Sequence, residues 1–124
     1  MTQIVEEAYV SFEVAKLMKE KGFEQKCNKY YLPLTANTQM WTHTHGEVIP
    51  EACVVYECPT QQMAVRWLIE QHNVHIIPQI DTNTMLYGYL VIECGGYCKR
   101  IRDRSFALRE EAIEDALKYC LNFI

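Results

Sequence analysis

A chain of 124 residues, 49% hydrophobic and 23% charged, has the composition of a folded domain and the length to bury a core without disulfide or metal staples. Its formal net charge of −4 excludes a surface that coats nucleic acid along its whole extent, leaving room only for a local basic patch. No apolar run reaches the length of a membrane span and the first residues lack the basic-then-apolar order of an export signal, so the expected compartment is the cytoplasm. There the six cysteines, Cys27, Cys53, Cys58, Cys94, Cys98 and Cys120, are expected to be reduced thiols, several of them buried as small hydrophobes.

The stretch from Ala8 to Phe23 predicts a helix. Ser11 serves as N-cap, Val14, Leu17 and Met18 form the apolar face, and Lys16, Lys19, Glu20 and Lys21 are solvated. Gly22 then supplies the left-handed position after the last turn, with Phe23 folding back on Met18. Asn28 to Leu34 is rich in strand formers, with Pro33 marking an edge or the strand's end. Thr35 to Pro50 is polar and punctuated and reads as a long loop holding Trp41, His43 and His45, after which Ala52 to Glu57 is a second extended run.

Pro59 suits the first turn of a helix, predicted to start within a residue of Thr60 and to end near Asn73. Met63, Ala64, Trp67, Leu68 and Gln71 share one face of it, with Trp67 as the expected centre of the core. Val65 and Ile69 widen the apolar arc toward a second surface, either a loop or another subunit. Val74 to Ile80 reads as a strand in which Pro78 marks an edge or a bulge, Asp81 to Thr84 as a side-chain-bonded turn, and Met85 to Cys94 as a strand. The last returns through Gly95-Gly96 into a partner strand from Tyr97 to about Arg102. The closing helix begins near Leu108. It carries Glu110 and Glu111 in its first turn and the paired stripe Ala112, Ile113, Ala116, Leu117, Cys120, Leu121. The predicted order α-β-(β)-α-β-β-β-α is that of an α+β domain spanning 1–124, an antiparallel sheet with helices packed on one face.

Little in the chain spells out chemistry. His43 and His45, two apart on an extended segment, point to one side and with Cys53 or Cys58 would make up a zinc set, yet no CxxC or HxxxH accompanies them. Exposed loop histidines are the plainer expectation, and no cofactor is expected. A hydrolase would need a cysteine nucleophile with His43, His45, His72 or His75 as base, and nothing in the spacing gathers such a trio, so no enzymatic activity is expected. Gly95-Gly96 lacks the following helix that a phosphate loop requires. The one basic cluster contains Lys99, Arg100, Arg102 and Arg104. On a strand these charges alternate faces, and they serve equally well to guard a sheet edge from aggregation.

From Pro59 to the end, the order helix, three antiparallel strands, helix resembles a double-stranded-RNA-binding domain. In that family lysines at the start of the last helix contact phosphates, whereas here Leu108-Arg109-Glu110-Glu111 would repel them. A second resemblance rests on several stretches taken together: Val10 to Leu17, Lys19 to Phe23, Cys58-Pro59-Thr60-Gln61-Gln62-Met63-Ala64-Val65-Arg66-Trp67-Leu68, Asn73-Val74-His75-Ile76, and Glu110 to Leu117. This set resembles small proteins encoded by phages and integrated mobile elements of gut Bacteroides-type bacteria. The resemblance implies a bacterial cytoplasm and an accessory gene, and brings no functional residue with it. The expected function is therefore non-enzymatic: binding of another protein or of its own copy through a sheet edge or the Val65 and Ile69 side of the central helix, with host takeover or anti-defence as the analogy. The alternative is a nucleic-acid or nucleotide binder using Lys99, Arg100, Arg102 and Arg104.

Overall fold

The Ser11 hydroxyl accepts the Val14 N–H at 3.2 Å and starts α1, Phe12–Glu20, as a side-chain cap should. The helix stops by backbone chemistry. Gly22, at φ +99°, donates to the Lys19 carbonyl, and Phe23 donates to the Met18 carbonyl at 2.9 Å, the two-bond stop that a left-handed glycine makes possible. Phe23 is thereby turned inward and buried. The computed structural model describes residues 8–33, 38–44, 46–49, 53–93 and 97–124, with backbone alone over 97–105.

Two three-stranded antiparallel sheets follow. The first, in the order β2-β1-β3, contains β1 (Lys29–Leu32), β2 (Gln39–Thr42) and β3 (Tyr56–Cys58); the second, in the order β4-β5-β6, contains β4 (Val74–Ile80), β5 (Tyr87–Glu93) and β6 (Tyr97–Phe106). The fold is α+β with antiparallel sheets. The strand layout differs from the sequence reading in two ways: β2 lies within the polar stretch 35–50, which reads as a loop, and the strands divide between two sheets. Pro33 ends β1 and does not mark an edge, because β1 is the central strand. Pro78 does lie on an edge strand, where its missing N–H breaks no ladder. The Asp81 carboxylate accepts the Asn83 N–H at 2.9 Å, making the predicted turn, while the Gly95-Gly96 turn lies outside the described residues.

Thr60 caps α2 (Gln61–His72) by accepting the Met63 N–H, and Asn73 ends it in the left-handed conformation. Pro59 thus stands just before the helix, not in its first turn. The buried face of α2 is Gln61, Ala64, Trp67 and Leu68; Met63 and Gln71, predicted to face inward, are exposed. The rotation follows from α3 (Arg109–Phe123), against which α2 packs, because the Gln61 side-chain amide donates to the Glu110 carbonyl at 2.8 Å. All six predicted stripe residues of α3 are buried.

α2 and α3 lie on the face of the second sheet that presents Val74, Ile76, Tyr89 and Val91, while α1 packs between α3 and β3. These surfaces meet in one contiguous cluster whose fully buried members include Met18, Leu68, Leu117 and Leu121. Trp67 belongs to it, yet is 6% exposed and stands at the rim, edge-on to Phe23 at 5.6 Å. Leu117→Ala should therefore cost about 2–5 kcal/mol and Gly22→Ala about 1 kcal/mol, the second through backbone conformation alone because no atom lies within 4 Å of the added carbon. Denaturant unfolding of both variants measures the difference.

Candidate functional site

Two surfaces carry features that the packing alone does not require. The first is a groove of about 500 Å³ where the N-terminal ends of α2 and α3 meet the second half of β4. Its apolar lining comes from Ala8, Val65, Ile76, Pro78 and Ile113, and its polar lining from Thr60, Gln61, Gln62, Arg109 and Glu110. The walls are tied together by backbone-directed bonds: Gln61 to the Glu110 carbonyl, and the Gln61 N–H to the Ala8 carbonyl at 2.8 Å. A volume in this range, apolar below with a few convergent polar groups, has the form of a binding cleft. Val65, singled out in the sequence, lines the groove half-exposed; Ile69 is also half-exposed but is not among the lining residues.

The second surface surrounds His43, directly after β2. Its Nδ1 bonds Glu47, and its Nε2 lies 3.0 Å from both carboxylate oxygens of Glu57 on β3. The ring lies against Tyr30 of β1, tilted by 33° with centroids 4.2 Å apart, and Glu57 also accepts the Cys27 N–H at 2.8 Å. Carboxylates only accept, and a neutral imidazole has one N–H to give, so the ring serves both partners fully when both nitrogens carry protons. The hydrogen bond from His43 holds the Glu47 carboxyl below its ordinary value; partial burial opposes this, and the Thr44 N–H, the His43 charge and Lys26 add to the lowering. Burial first, then Glu47, raises the Tyr30 hydroxyl. The result is a clamp joining the end of β2 to β1 and β3.

The remaining sequence candidates are dispersed. His45 lies outside the described residues, and among the described residues no group of three or more His, Cys, Asp or Glu is gathered as a metal set. Cys58 donates to the Val10 carbonyl at 3.3 Å, away from His43. His72 lies against the Trp67 ring and His75 is half-exposed on the second sheet. Burial pushes the thiols of Cys27, Cys58 and Cys120 up to about 12, 11 and 12, which keeps them protonated and poorly nucleophilic near neutrality. On β6 the register sets Lys99 opposite Val91 and Arg100 opposite Leu90, two neighbours on opposite faces of β5. Arg102 and Arg104 fall where the register shifts, and the side chains of all four lie outside the described residues. Glu110 and Glu111 stand exposed at the start of α3.

Residue spacing carries no hint of the clamp, because Glu57 is fourteen positions from His43 and reaches it only through sheet pairing. Glu47, four positions on, was the one local signal. Comparison of the chain with protein-family models, curated proteins and solved structures gives no match. Fold and site together define an α+β protein with a helix-walled groove and a clamped outer strand, and among the described residues no helix is long and apolar enough to cross a membrane.

Because the folded-state value of Glu47 is depressed, its contribution to stability is present above the ordinary 4.5 and is lost as pH falls through the lower folded value. Below pH 4.5 wild type should lose stability more steeply than Glu47→Gln, read from urea midpoints across the acid range. The buried thiols act with the opposite sign. Their folded values are raised, so stability is intact below the ordinary 9.0 and declines as pH climbs above it. Cys27, Cys58 and Cys120 should also resist iodoacetamide in the native protein and react once it is unfolded, as peptide mass mapping would report.

Proposed function

We propose that this chain is a non-enzymatic protein-binding module, an accessory protein of a phage or prophage acting in a bacterial cytoplasm, and that the groove between α2, α3 and β4 takes an apolar segment of its partner. The observation that carries the reading is the half-exposed Val65 in a groove whose floor reaches the core: Ile76 and Ile113 belong to the hydrophobic cluster and still line the opening. An apolar side chain entering there would extend the core, and Gln62 and Arg109 at the polar lining offer donors to partner carbonyls or carboxylates, the usual division between a buried anchor and a polar rim.

The test begins with a photo-reactive side chain at Gln62, run beside the same group at Ile77 on the far face of the second sheet. A discrete protein captured at Gln62 alone is then purified and titrated. Val65→Asp should weaken its binding at least tenfold, about 1.4 kcal/mol, and Ile77→Asp should leave it unchanged. Equal binding by Val65→Asp overturns the assignment. Capture of nucleic acid, released by salt and by Arg100→Glu, would favour the basic strand instead.

A further inference from the structure

The two sheets end in four edges, and three of them are guarded. β3 is covered by α1, with Phe12 edge-on to Tyr56 at 5.2 Å. β4 carries Pro78, and β6 carries the charges of Lys99, Arg100, Arg102, Asp103 and Arg104. Proline, charge and covering elements are the devices by which sheet edges avoid pairing with other chains. Among the described residues, β2 has none of them. Thr38-Gln39-Met40-Trp41-Thr42 contains neither charge nor proline, all four strand residues are exposed, and Met40 and Trp41 are 38% and 43% accessible.

The register says which peptide groups of β2 point away from β1. His43 donates to the Asn28 carbonyl at 2.9 Å, making that pair hydrogen-bonded; alternation along an antiparallel ladder then turns Trp41 and Gln39 toward β1 and Met40 and Thr42 outward. The outward groups are centred on Met40, and the sequence around it is nearly symmetric, threonine two places to either side. We propose that β2 is a self-pairing edge: two copies of this chain join antiparallel about a two-fold axis through Met40, fusing their first sheets. Thr38 then faces Thr42 of the partner subunit in a threonine pair of the kind that stabilises neighbouring strands, and Trp41 lies beside the partner's Gln39. A second copy fits better than a foreign strand because the segment carries no charge to select an unlike partner and is its own complement. The His43 clamp fixes the end of β2, so little order remains to be gained on association. This inference is independent of the groove.

The test is sedimentation of the full-length chain over a wide concentration range, with Met40→Pro and Ile77→Asp alongside. Met40→Pro deletes an outward N–H and spares the ladder to β1. Wild type and Ile77→Asp should dimerise alike, and Met40→Pro should raise the dissociation constant at least tenfold with an unchanged circular-dichroism spectrum. If that variant fails to fold, amide exchange on wild type decides: protection at Met40 and Thr42 should rise with concentration while Gln39 and Trp41 stay constant. A chain that is monomeric throughout, a dimer abolished by Ile77→Asp, or concentration-independent exchange at Met40 would each overturn the proposal.

Discussion

Everything in this fold depends on how closely α3 can approach its neighbours. Ala112 and Ala116 are fully buried, and with no side chain beyond Cβ they let the helix axis sit near the second sheet while Ile113, Leu117 and Leu121 fill the space on either side. α3 touches α1, α2 and every strand of that sheet, so a larger residue at either alanine would push on several elements at once. Overpacking a dense interior costs about 1–3 kcal/mol at one site, and here the strain has no single neighbour to absorb it. The position of α1, and through it the placement of the first sheet, follows from the same contact, with Ser11 N–H donating to Glu114 and Lys118 pairing with Glu13 at 3.1 Å.

The first sheet is held differently. Its outer strand buries no residue of its own, so apolar burial cannot hold it in place, and directional polar contacts do. Glu57 receives both the Cys27 N–H and the His43 ring, and Tyr30 lies flat enough against that ring to limit its rotation. Networks of this kind gain from mutual polarisation and from the cost of leaving any member unsatisfied. They also specify geometry more narrowly than apolar contact does. The hydrophobic core determines that the chain collapses, and the clamp determines where the exposed strand stands.

The difference explains which parts were legible in the sequence. α3 was readable to the residue, because a one-sided stripe at helical spacing has no other use and its six positions are consecutive pairs. The stops of α1 and α2 were readable for the same local reason, through Gly22 and Asn73. β2 was not: Gln39-Met40-Trp41-Thr42 is exposed on both faces, so it has no alternation to detect, and it is a strand because Tyr30 and Tyr31 offer it a ladder. Gln61, a polar residue at the start of its helix, gives no local sign of burial, and only the Glu110 carbonyl, forty-nine positions away, makes its burial affordable. The groove depends on that bond and was equally invisible. Val65 could be marked as an unusual apolar residue, but the space beside it is formed by β4 and α3.

Why the groove stays open also has a physical answer. Closing it would bring Gln62, Arg109 and the start of α3, all exposed, into apolar surroundings. That start has no side-chain cap, so its first amides depend on access to solvent or to a ligand, and buried polar groups without partners cost more than the apolar area nearby would return. The opening is therefore maintained by the polarity of the helix ends that frame it. β2 belongs to the other sheet and shares no residue with the groove, so pairing through the first leaves the second unoccupied. Two copies joined at β2 would present two grooves at a fixed separation, and a partner offering two apolar segments would bind the second by effective concentration instead of by any new contact.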